Sequence, residues 1–157
     1  MSRKSGRTFR RTLGIVIFVL YMLVLAYFLF FSESYGRGIV QDEYRYNLIP
    51  FHEILRFWTY RNELGLMAML TNIFGNILAF VPLGFIPPMI SRRAKSIWFS
   101  MALGFTLSVC VEITQFFTRV GSLDVDDVLL NTFGAICGYW AYLILQYIRR
   151  RRNGKKI

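Results

Sequence analysis

Four long apolar runs divide the chain, and the polar residues fall mainly between them. The runs at about 13–31, 66–86, 96–117 and 125–148 each approach the roughly 20 mostly apolar residues that a helix needs to cross a bilayer. The pattern predicts an all-α integral membrane protein, a single membrane domain over 1–157 with four transmembrane helices. No stretch is left over for a soluble domain, and no internal repeat is visible.

The first run is apolar on all sides apart from Tyr21 and Tyr27, which predicts a lipid-facing packing helix. It exceeds the 7 to 15 apolar residues of a signal-peptide core, and no A-x-A-like site follows, so a retained anchor is expected. The link to the second run begins irregular and charged. From Phe51 onward, Phe51, Ile54, Leu55 and Trp58 recur at helical spacing with His52, Glu53 and Arg56 between them. That spacing predicts a short amphipathic helix in the membrane interface, where Trp and Tyr are favoured. Just before it, Pro50 steers Ile49 away from helix, which leaves Asn47 placed to pin the turn. His52, the one histidine, is expected on the solvated face.

Polar residues inside the runs carry more information, because an amide or carboxylate in hydrocarbon must find a partner. In the second run Asn72 and Asn76 lie four apart on one helical face. Pro82 there lacks an N–H and disturbs the bond to the Leu78 carbonyl, which predicts a kink, and Pro87 with Pro88 is expected to stop the helix. Gly75 and Gly84 permit close backbone approach. Glu112, Gln115 and Arg119 stand at i, i+3 and i+7 in and beyond the third run. Asp124, Asp127 and Asn131 do the same at the start of the fourth, and the face continues into Gly134 and Gly138. At about 1.5 Å of rise per residue, Asn72, Asn76, Glu112 and Asn131 reach overlapping depths near one membrane surface. One polar seam open to that surface accounts for all of them. A charge at the centre of a span costs about 2.5–3.5 kcal/mol, so Glu112 must face protein or water. Arg119 is expected to pair with Asp124 or Asp127.

Charge sets the orientation. The net charge is +10, and 14 of the 19 basic residues precede the first run, follow the fourth or lie between the second and third. By the positive-inside rule both termini are then cytoplasmic. The basic tail fits contact with anionic lipid head groups, and no nucleic-acid motif accompanies it. All the acids except Glu112 fall in or beside the outer links, which directs functional attention outward. Cys110 and Cys137 lie within runs and read as small packing residues.

Three chemistries suit such a seam. The favoured one is binding of a membrane lipid or lipid-tailed ligand without catalysis. The second is a membrane enzyme acting on a lipid head group, with Glu112 as base and Asp124 and Asp127 holding a divalent cation, since oxygen ligands suit Mg²⁺ or Ca²⁺. Paired acids at a helix start also serve as caps and complement the dipole, and no H-E-x-x-H, G-x-S-x-G or phosphate loop is present. The third is a small transporter with Glu112 as a proton-linked carboxylate. Gly134, Ala135 and Gly138 suit helix contacts within the chain or between copies in a homo-oligomer.

The stretches "NLIPF", "NIFGNILAFVPLGF" and "VEITQFFTRVGSLDVDDVLLNTFGAICGY" resemble the VanZ-like family of small bacterial membrane proteins, over about residues 47–139. Its pattern maps onto Asn47, Pro50, Asn76, Pro82, Gly84, Glu112, Gln115, Arg119, Asp124, Asp127, Asn131 and Gly134. Asp126 falls between family positions and is expected to be incidental. The resemblance implies a plasma-membrane protein of the bacterial cell envelope, in a family whose founding member gives low-level resistance to teicoplanin and related glycopeptide antibiotics with a lipid tail.

Overall fold

The computed structural model describes residues 2–31 and 42–154. The first part of the link between the first two runs, residues 32–41, expected to be irregular, lies outside the described residues, as do Lys155 and Lys156. Four helices are long and apolar enough to cross a membrane, within α1 (Ser2–Phe30), α4 (Leu66–Ile90), α5 (Ile97–Thr118) and α6 (Val125–Gly154). Two short helices, α2 (His52–Thr59) and α3 (Arg61–Leu64), precede α4, and Gly65 makes the turn into α4 at φ 87, a conformation that favours glycine.

α4 passes through Pro82, Pro87 and Pro88 and ends at Ile90, one turn beyond the expected stop. Proline φ is itself helical, and the missing N–H groups matter less where neighbouring protein supplies donors. The carbonyl that Pro82 leaves without its helical donor is that of Leu78; one residue on, the Tyr21 hydroxyl donates to the Ala79 carbonyl at 2.8 Å and ties α1 to α4 beside the proline. The end of α4 is closed by the Ser91 N–H on the Pro87 carbonyl at 2.9 Å.

α6 is the central helix, packed along α4 and α5, while α1 lies against α4. Glycine makes this approach possible. A Cβ on Gly134 would stand 2.2 Å from the Ile77 carbonyl oxygen, and one on Gly138 2.0 Å from that of Val81. In return, a Cβ on Gly84 would lie 1.8 Å from the Ala135 carbonyl oxygen. The small residues of α6 are thus used for contacts inside the chain. Leu25, Phe80 and Leu83 form the buried apolar centre, and most of α1 faces outward. Cys137 is half-buried, whereas Cys110 is exposed on α5 and packs on nothing central, because the inward face of that helix is Ser100, Gly104, Ser108, Glu112 and Gln115.

Among the described residues one pairing is not helical: Tyr46–Asn47 (β1) pairs in parallel with Leu123–Asp124 (β2), joining the link before α2 to the start of α6.

Candidate functional site

The polar residues at the end of the bundle that carries α2 are joined chiefly by one recurring motif, a side chain closing the free end of a backbone element. A helix leaves its first N–H groups and last carbonyls without partners, and in a membrane each must be met by protein. Glu112, 3% exposed on α5, accepts the Asp124 N–H at 2.8 Å and so holds the entry to α6. Asp124 Oδ1 in turn accepts the Asp126 N–H at 2.9 Å, the geometry of an N-cap on the second residue of the helix. The same oxygen accepts the Asn47 amide at 3.1 Å, and Asn47 Oδ1 takes the Ile49 N–H at 3.2 Å, forming the turn before Pro50.

Asp126 is the residue that the sequence reading set aside, and its position corrects that expectation. It is 1% exposed, and its carboxylate accepts the N–H groups of Phe51, Glu53 at 2.8 Å and Ile54 at 3.1 Å. A side chain from α6 therefore caps α2, more than 70 residues away in sequence. Phe51, the residue before α2, sits at φ 65, a left-handed conformation that a bulky residue adopts only under constraint. The only sequence signal was an excess of acids: D-V-D-D offers three carboxylates where the N-cap of α6 uses one.

Asp127 accepts the amide of Asn76 across the α4–α6 interface. Deeper between α5 and α6, the Asn131 amide donates to Ser108 Oγ at 2.9 Å. Gln115, fully buried, donates to the Leu29 carbonyl at 2.8 Å and closes the last turn of α1. The Gln115 Oε1 and Asn131 Oδ1 atoms are buried and have no hydrogen-bond partner among the described residues. Asn72 stands half-buried on α4 outside these bonds.

Arg119 lies elsewhere than expected. α5 ends at Thr118, and Arg119 adopts φ 57 in a Schellman turn, its N–H on the Phe116 carbonyl and the Val120 N–H on that of Gln115, both at 3.2 Å. The turn swings the side chain off the Glu112–Gln115 face. Its guanidinium lies 5.2 Å from the centre of the Tyr44 ring and donates to the Asp42 carbonyl at 3.4 Å, so pairing with Asp124 or Asp127 gives way to a contact with the link before α2. Tyr44, Tyr46, Phe116 and Phe117 stack around this corner.

Burial pushes the Asp124 carboxyl above its ordinary value of 3.8, the Asp126 N–H and the Asn47 amide oppose this, and the charges of Asp126 and Glu53 add to it. Among the described residues, no three His, Cys, Asp or Glu side chains converge as a metal-holding group.

The surface above these bonds is apolar and cationic. α2 has no buried residue: Phe51, Leu55 and Trp58 are exposed, His52 lies 3.5 Å from Glu53, and Glu53 pairs with Arg56 at 3.1 Å. Arg56 lies over Phe57 and Arg61 over Trp58.

Four apolar helices, joined near one end by buried carboxylates and amides, define a multi-pass membrane protein. Its residues 18–146 match the VanZ/LLP1 family, and the chain belongs to that family. It is similar to Protein VanZ of Enterococcus faecium, 26% identical over 130 residues, which cover 80% of this chain and 71% of that protein. No solved structure matches it.

Proposed function

We propose that this chain is a non-enzymatic protein of the bacterial plasma membrane, with both termini cytoplasmic, whose outer end binds an amphiphile. The observation that carries this reading is α2. It is a helix with exposed Leu55 and Trp58, preceded by exposed Phe51, bordered by Arg56 and Arg61, and held on the bundle by the buried Asp126. An apolar chain suits its exposed rings, and an anionic head suits its guanidinium groups. The seam beneath serves as the support of this surface. Commitment of Glu112 to the Asp124 N–H favours support over a role as base, and the amide on each of Asp124 and Asp127 favours the same over metal ligation. Close packing of Gly104 on Ala135, where an added Cβ would stand 2.6 Å from the alanine methyl, favours a closed bundle over a transport path.

The ligand class nearest to the family is a lipid-tailed glycopeptide or another lipid-linked molecule. Cells expressing the chain are expected to tolerate teicoplanin better than control cells, with a smaller change for vancomycin, which lacks the acyl tail. Leu55→Ser with Trp58→Ser should abolish the difference while leaving protein level in the membrane unchanged. Equal shifts for both drugs, or none, would overturn the reading.

A further inference from the structure

At the opposite end of the bundle the structure holds a groove of about 400 Å³ between α1, the end of α4 and the start of α5. That volume lies in the usual range for ligand pockets, about 300–1,000 Å³. Its walls are apolar, with Ile15 and Phe18 from α1, Ile90 from α4 and Phe99 from α5, and Ser91 and Arg93 stand at its edge. α1 and α4 meet tightly beside it, since a Cβ on Gly14 would be 2.9 Å from the Ile90 side chain. Arg11 precedes Ile15 by four residues and so continues the groove-facing side of α1 toward the same mouth. Both Arg11 and Arg93 are exposed.

Charge decides what fits. α1 contains no Asp or Glu, and none occurs between Glu63 and Glu112, so α4, the link to α5 and most of α5 offer these guanidinium groups no carboxylate. Arg92 and Lys95 add to the same positive mouth. An apolar slot opening onto uncompensated cations matches one class of molecule in a bilayer, a phospholipid with an anionic head group.

We propose that this groove is a binding site for one anionic phospholipid, with an acyl chain against Ile15, Phe18 and Phe99 and the head-group phosphate on Arg93 and Arg11. It is separate from the outer end and independent of the function proposed there. A phosphate takes parallel N–H donors from a guanidinium, so Arg suits the mouth better than Lys.

The test is native mass spectrometry of the full chain in detergent, titrated with phosphatidylglycerol and, in parallel, phosphatidylcholine of the same acyl chains. The expected result is one tightly held phosphatidylglycerol and markedly weaker phosphatidylcholine. Arg93→Gln should weaken the anionic lipid about fivefold, as removal of one surface cation does, and adding Arg11→Gln should weaken it further by a similar factor. Arg151→Gln, on the tail, controls for general attraction and should leave the tight site intact. Ile15→Trp, which fills the slot, should weaken both lipids. Equal affinity for the two lipids in the unaltered chain, or an unchanged preference in the Arg93→Gln, Arg11→Gln protein, would overturn the proposal.

Discussion

The middle of the bundle and the end that carries α2 are held by opposite means. In the middle, α4 and α6 touch backbone to backbone through Gly84, Gly134 and Gly138, with no side chain between them. At the α2 end the elements are joined by Glu112, Asp124, Asp126, Asp127, Asn47 and Asn76, mostly through long-range hydrogen bonds to a backbone N–H or amide. The difference follows from what each place must satisfy. In the middle of a span most backbone groups are paired within their own helix, so where α4 meets α6 dispersion at close approach is the main attraction. Helix ends do have free groups, and buried carboxylates meet them at a cost in desolvation that the accepted N–H bonds offset.

The comparison predicts unequal responses to substitution. Gly138→Ala places a methyl in the Val81 carbonyl and should drive α4 and α6 apart, with a loss of about 3 kcal/mol or more and little folded protein in detergent. Near-native thermal stability of that variant would show that the middle is not close-packed. Asp126→Ala should act more locally: the N–H groups of Phe51, Glu53 and Ile54 lose their acceptor, costing about 2–3 kcal/mol. Hydrogen exchange should then quicken across 51–59 with α4 and α6 unaffected, and unchanged exchange in α2 would remove Asp126 as its cap.

The smallest effect concerns Asp124. Its pKa is raised in the fold, so the fold favours the neutral acid: the favourable contribution is complete below pH 3.8 and fades as pH rises through the raised value. Asp124→Asn keeps an acceptor for Asn47 and the Asp126 N–H while removing the charge. Its stability should therefore fall less than that of the native chain as pH rises over that window. Identical pH profiles would mean the carboxyl is not strained by burial.

Much of the architecture was legible because hydrophobic length reads directly as membrane span. The four runs, a short helix following Phe51 and the burial of Glu112 and Asn131 all follow from apolar period or from a polar group in an apolar setting. The prolines of α4 were less legible. Local preference predicts a stop at Pro87, but packing carries the helix on to Ile90. Arg119 was misplaced because helical spacing was extended one residue past the end of α5, and a left-handed arginine at that turn has no signature in composition.

By itself the sequence determined four membrane-length helices, the concentration of positive charge at one end and the presence of buried hydrophilic side chains near the other, since each depends only on residue type and local period. Tertiary structure alone decided which end each carboxylate closes. Asp126 serves α2 rather than its own helix, Glu112 serves the entry to α6, and two-residue strands join Tyr46–Asn47 to Leu123–Asp124. Those partners are set by which backbone ends the packing of α4 on α6 brings within hydrogen-bonding distance, and that distance is a property of the folded chain.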